Sequence, residues 1–130
     1  MNQNEMKERT KKFALRIIKL VEALPNTKVS VVLGNQLLRS GTSIGANYRA
    51  VCRAKSTADF ISKLSIVEEE ADESIFWIEL LVESDQVKSK LVEGLIDECN
   101  QILSIVVSSI KTSKMKRNPK SKIQNLKSKI

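Results

Sequence analysis

Apolar residues recur every third or fourth position in four long stretches of this chain, separated by short polar breaks. In the first stretch, from about Asn4 to Leu24, Met6, Phe13, Ile17, Leu20 and Leu24 stand at helical spacing among lysines and glutamates. Leu-Pro-Asn-Thr then interrupts the pattern: Pro25 disfavours helix at Leu24, and Asn26 or Thr27 can cap the next helix. The second stretch, about Lys28 to Lys55, places Leu33, Leu37, Ser40, Ile44, Asn47, Val51 and Ala54 at alternating steps of four and three. That is a heptad seam with polar positions in it. Ser56 stands three residues before Asp59, a capping-box spacing that opens the third stretch, about Thr57 to Ser84. There Phe60, Leu64, Val67, Ala71, Ser74, Ile78 and Leu81 repeat the alternation.

After a polar turn near Gln86, the fourth stretch runs from about Val87 to Lys114 with two adjacent apolar lines. Leu91, Leu95, Glu98, Ile102 and Ile105 form one; Val92, Ile96, Cys99, Leu103, Val106 and Ile110 form the other. So wide a face predicts contact on two sides. Strand signals are absent, and short connections make sequential helices antiparallel neighbours. The expected fold is all-α, an antiparallel up-down-up-down four-helix bundle over residues 1–114. A basic, disordered tail is expected over 115–130.

The run Ser40–Asn47 is unusual inside a helix, with two glycines, two serines, a threonine and an asparagine. With the second turn centred near Ser56, Asn47 lies level with Ile66, Ser43 with Glu70, Ser40 with Glu73 and Gln36 with Trp77. These heights predict an inward polar layer of Ser40, Ser43, Asn47, Glu70, Glu73 and Trp77. In it, hydroxyl and amide donors would satisfy a carboxylate too costly to bury alone. A solvated glutamate face is the competing reading. Gly34, Gly41 and Gly45 form a strip beside the seam, each costing about 1 kcal/mol relative to alanine. Close approach of another helix would offset that cost. A helix of the same bundle and one of another subunit both qualify, and the expectation leans to the subunit.

Charge alters the picture at one end only. Residues 1–112 hold equal numbers of acids and bases, whereas Ser113–Ile130 holds seven basic residues and no acid, so the net +7 resides there. Candidate phosphate-binding residues are Lys114, Lys116, Arg117, Lys120 and Lys122, with Arg39, Arg49 and Arg53 on the outer face of the second helix. A solubilising tail and a solvated or acid-paired arginine face are the plain alternatives. The chain has no histidine, which excludes a zinc site or histidine-based catalysis within one chain. Glu70 and Glu73, with Glu98 on the fourth helix as the only candidate for a further inward carboxylate, lack the Glu-x-x-His pairs of dimetal bundles. No metal, cofactor or enzymatic activity is therefore expected. Cys52 and Cys99 fall some 20 Å apart along the bundle, too far for a disulfide. With no apolar signal core or membrane span, a cytoplasmic location is expected.

The segments Leu37–Ala50 and Ala58–Leu81 resemble a four-helix-bundle family named for proteins encoded in intervening sequences of bacterial 23S ribosomal RNA genes. The likeness covers roughly residues 6–112. It is most specific at Ser40–Asn47 and at the pattern of Glu70, Ala71, Glu73 and Trp77. The chain departs from it at Val67, Glu68 and Glu69, where members often have alanine, leucine and lysine. It departs again at Arg49, where glutamate is common. The resemblance implies a homo-oligomer, a five-membered ring. It extends to the accessory variability protein of diversity-generating retroelements, which binds nucleic acid and partners a reverse transcriptase. The function so implied is non-enzymatic, low-specificity RNA or DNA binding, or an accessory role beside another protein. The alternative is a protein-interaction scaffold without nucleic acid.

Overall fold

A computed structural model describes residues 1–117 of the chain. Four helices account for nearly all of them: α1 (Gln3–Ala23), α2 (Lys28–Val51), α3 (Thr57–Glu83) and α4 (Ser89–Arg117). Their starts are chemically marked. Asn2 Oδ1 accepts from the Glu5 amide at 2.8 Å, Thr27 Oγ1 from Ser30 at 3.0 Å and Ser56 Oγ from Asp59 at 3.1 Å. Asp59 reaches back to accept from the Lys55 amide at 3.0 Å, which completes the expected box one residue further out. α2 stops at Val51, short of Lys55, because the chain turns at Cys52–Arg53. α4 runs three residues beyond the expected boundary at 114, so Lys116 and Arg117 are helical. The rest of the expected tail, with Lys120 and Lys122, lies outside the described residues.

Cross-helix pairs run in opposite order along each neighbouring pair. On α2, Gly34 faces Leu24, which caps α1, while Gly41 and Gly45 face Ile17 and Thr10 of α1 in turn. Ser30 bonds Gln86, just beyond α3, and Ser40 bonds Ser74. Arg16 of α1 approaches Gly94, and Arg9 bonds Glu98 of α4. The helices therefore alternate in direction around the bundle. The α4–α1 seam is the sparsest of the four.

The core is mostly aliphatic, with the rings of Phe13 and Tyr48 in it, and Ile17, Leu37, Ile44, Leu64, Ile78, Leu81 and Ile102 essentially inaccessible. The heptad lines drift as an uncurled 3.6-residue helix requires. Tyr48 replaces Asn47 inside, and Ile61 replaces Phe60. On α4 the buried set, Val92, Leu95, Cys99, Ile102, Val106 and Ile110, draws on both expected lines. Leu91 is left 74 % exposed.

The glycine strip faces α1 of the same chain, which corrects the expected subunit interface. A Cβ on Gly41 would lie 2.8 Å from Ile17 Cγ1 and 2.9 Å from its Cγ2. One on Gly45 would stand 3.4 Å from the Thr10 backbone. The glycines let α1 and α2 pack closely, and that contact offsets their helix cost.

Candidate nucleic-acid interface

The residues singled out from the sequence separate into two places. The first is the α2–α3 face. Ser40 and Ser74 are fully buried and joined by a 2.9 Å hydrogen bond, while Ser43, Asn47, Glu70, Glu73 and Trp77 are only half-buried. The expected bonds from Ser40, Ser43 or Asn47 to the glutamates are not made. Ser43 Oγ donates to the Arg39 carbonyl at 2.6 Å and Asn47 Nδ2 to the Ser43 carbonyl at 2.8 Å, both within α2.

The carboxylates are held from outside instead. Arg39 Nη1 donates to Glu70 at 3.2 Å, Arg39 Nη2 donates to Glu73, and Trp77 Nε1 donates to Glu73 at 3.1 Å. Glu70 and Glu73 lie on the flank of α3 that looks along α2 toward solvent, so a long guanidinium reaches them and short hydroxyls do not. Phe76, half exposed, meets the Trp77 ring edge-on with centroids 5.1 Å apart. Arg39 thus has its charge partners within the chain, which sets it apart from Arg49 and Arg53.

The second place is the end of the bundle where α2 and α4 finish and α1 and α3 begin. Arg49 occupies the last turn of α2, and Arg53 comes after it in the turn. Lys114, Lys116 and Arg117 occupy the last turn of α4. All five are exposed, and none makes an ion pair with a described residue. An open cleft of about 400 Å³ at this end is lined by Lys55, Ser56, Thr57, Phe60, Ser113 and Lys116 among others, and of the five only Lys116 lines it.

Lys55 was not among the residues singled out. Up-down topology alone places the α2–α3 turn beside the end of α4, and that signal could have found it. Basic residues in a final turn also offset the negative helix C-terminus. Lys55 stands before the α3 N-cap, where there is no helix C-terminus to offset, and its charge helps hold the Asp59 carboxyl low. Behind the cleft Tyr48 is buried, and its phenol is pushed up to about 12, mainly by burial and further by the neighbouring Cys52.

Glu98 is bound by Arg9 Nε and Nη2 at 2.8 and 2.7 Å on the α4–α1 seam, apart from Glu70 and Glu73. No group of three or more His, Cys, Asp or Glu among the described residues could hold a metal ion. Cys52 and Cys99 are both free thiols. No described helix is long and apolar enough to cross a membrane.

An all-helical bundle with a serine-glycine seam and an Arg-Glu-Trp cluster on its α2–α3 face defines a recognisable class. Residues 2–108 match the sequence profile described as 23S rRNA-intervening sequence protein, and the chain belongs to that family. A solved structure of a protein of unknown function from the S23 ribosomal protein family of Bacteroides thetaiotaomicron is 40 % identical, with a TM-score of 0.79. That match covers 85 % of this chain and 99 % of the other. Comparison with curated proteins returned no match.

Proposed function

We propose that this protein is a non-enzymatic, self-associating bundle whose basic end contacts nucleic-acid phosphates with little sequence discrimination. The observation that carries the reading is the cleft that brings Lys55 and Lys116 together, at the end of the bundle that also holds Arg49, Arg53, Lys114 and Arg117. These bases come from two helix ends far apart in sequence, and the cleft holds the hydroxyl residues Ser56, Thr57 and Ser113, suited to phosphate oxygens, beside apolar Val51, Ala54 and Phe60. Single contacts of this kind are weak. Repeated around an oligomer, a ring of five in the form the family resemblance implies, they gain avidity without any base-reading pocket. Aromatic residues that could stack on bases are scarce at this end, where Phe60 is half-buried, so specificity for single strands has little support.

The test is binding of a mixed-sequence RNA oligonucleotide to the full chain across a salt series, with mass in solution measured alongside. Affinity should fall steeply with salt, and K55A/R53A/K116A should flatten the logarithmic slope by about 2 to 3. Absence of binding at low salt would sink the proposal. The second reading, a protein-interaction scaffold, draws on the exposed Phe76 beside Trp77 and on Val29 and Val32. Partners retained after nuclease treatment would favour it.

A further inference from the structure

α3 is the acidic rod of the bundle: it carries eight carboxylates and one lysine, while α2 beside it carries three bases and no acid. Three of those carboxylates have cations within the chain, since Arg39 takes Glu70 and Glu73 and Lys63 takes Asp59. Glu68, Glu69 and Asp72 make no ion pair with any described residue. These three, with Ser65, line one wall of an open groove of about 440 Å³ between α3 and α4. Leu103 and Val107, both half-buried, form the other. An apolar strip beside uncompensated carboxylates is complementary to a segment in which lysines flank aliphatic side chains.

The chain contains one such segment outside the described residues. Residues 118–130 hold Lys120, Lys122, Lys127 and Lys129, no acid, and the aliphatic Ile123, Leu126 and Ile130. Geometry permits it to reach the groove. α4 forms one wall and ends at Arg117, ten residues past Val107, or about 15 Å along the axis. Thirteen residues can span up to about 43 Å. Pro119 opposes continuation of α4, so the chain direction is open to reverse there.

We infer that the α3–α4 groove seats the chain's own residues 118–130, with their lysines among Glu68, Glu69 and Asp72 and their aliphatic side chains against Leu103 and Val107. Where it touches the nucleic-acid reading it rests on it: lysines of this segment held by the groove are withdrawn from phosphates bound at the neighbouring basic end, so the groove competes with nucleic acid for them.

The test is zero-length carbodiimide cross-linking of the full chain in low salt, using an equal mixture of natural-abundance and ¹⁵N-labelled protein. Amide links from Lys120–Lys129 to Glu68, Glu69 or Asp72 should join peptides of the same isotope. In parallel, trypsin should cut at these lysines about tenfold more slowly than in E68Q/E69Q/D72N, and the protection should vanish in high salt. The high-salt arm uses unaltered protein, so it stands even if the triple variant folds poorly. Links only between unlike isotopes would overturn the inference by placing a second copy's segment in the groove. No links, with equal cleavage rates, would overturn it outright. Same-chain links in a protein that ignores RNA would leave the groove assignment standing and remove the nucleic-acid reading.

Discussion

Ser74 Oγ donates to Ser40 Oγ at 2.9 Å across the α2–α3 seam, and neither residue is accessible to water. Ser74 Oγ also lies 2.8 Å from the Glu70 carbonyl and Ser40 Oγ 3.4 Å from that of Leu37. Each hydroxyl has one proton, so the pair satisfies itself by sharing protons with the helix backbones. S40A should cost about 1 kcal/mol, because Ser74 keeps its carbonyl. S40A/S74A should cost less than the sum of the two single changes, since no hydroxyl then remains unpaired. Urea unfolding of the four proteins closes the cycle, and strict additivity would contradict the coupling.

Gly41 and Ile17 make the tightest contact among the glycines. G41A should destabilise by about 1 to 3 kcal/mol, since the added carbon meets the branched Cβ side of Ile17 and not a flexible tip. At Gly34 the nearest atom is Leu24 Cδ1 at 3.1 Å, a side-chain end that can swing aside. G34A should be near neutral or stabilising through helix propensity. Thermal unfolding ranks the two, and G41A should cost less in an I17A background than in the unaltered protein. A smaller assembly with unchanged protomer stability would point back to a subunit contact at Gly41.

This contact also shows what was legible in the sequence. Four helices, their caps at Thr27 and Ser56 and most core positions can be read from spacing, because burial imposes the 3.6-residue period directly. Heights along neighbouring helices were legible to within one residue: Ser40 pairs with Ser74, next to the expected Glu73. One residue turns the side chain by 100°, however, so the glutamates moved from the core to a flank and found Arg39. Which neighbour a glycine strip faces depends on side-chain shape on another helix, here Ile17, and no local pattern encodes that. The basic end was half legible, since Lys114, Lys116 and Arg117 stand out by charge whereas Lys55 matters only after folding.

Asp85 ends α3 with φ of 63°, in the left-handed region. The Gln86 amide bonds the Leu81 carbonyl at 2.9 Å and the Asp85 amide that of Val82 at 3.0 Å, which together form a Schellman closure. Glycine is the usual residue at that position, and aspartate accepts it at some cost. D85G should raise stability by about 0.5 to 1 kcal/mol, read as a higher urea midpoint at unchanged slope. The turn is held independently, because Gln86 Oε1 accepts from Thr27 at 2.6 Å and from Ser30 at 2.8 Å. Q86A should therefore destabilise even in the D85G background.

Cys99 is fully buried, its thiol is pushed up to about 12 chiefly by burial, and Sγ lies 3.3 Å from the Ala71 carbonyl it donates to. Cys52 is half-buried at the basic end. A thiol-reactive dye should modify Cys52 in the native protein and Cys99 only when the bundle opens. The Cys99 labelling rate in a C52S variant should track global stability as urea is raised. Rapid native labelling of Cys99 would mean that the α3–α4 seam opens locally.

The Arg9–Glu98 pair should make stability depend on pH across the sparse α4–α1 seam. Glu98 is held below the usual carboxylate range by the hydrogen bond from Arg9, against an opposing effect of partial burial. A carboxyl whose folded pKa is depressed contributes stability that is full above its unfolded value, ordinarily 4.5. The contribution is lost as pH falls through the folded pKa. Both side chains remain about one-fifth exposed, so the contribution is screened, and about 1 kcal/mol is the scale to expect at pH 7. E98Q should lose that amount at pH 7. Its deficit should narrow below about pH 4.5 and close as the native carboxyl protonates, because a protonated Glu98 and a glutamine then offer Arg9 similar neutral acceptors. Asp59, also lowered through its bonds to Lys63 and Lys55, is common to both proteins and cancels from the difference. Urea unfolding at a series of pH values measures the gap, and a gap that stays constant down to pH 3 would show that Glu98 contributes by packing and not by charge.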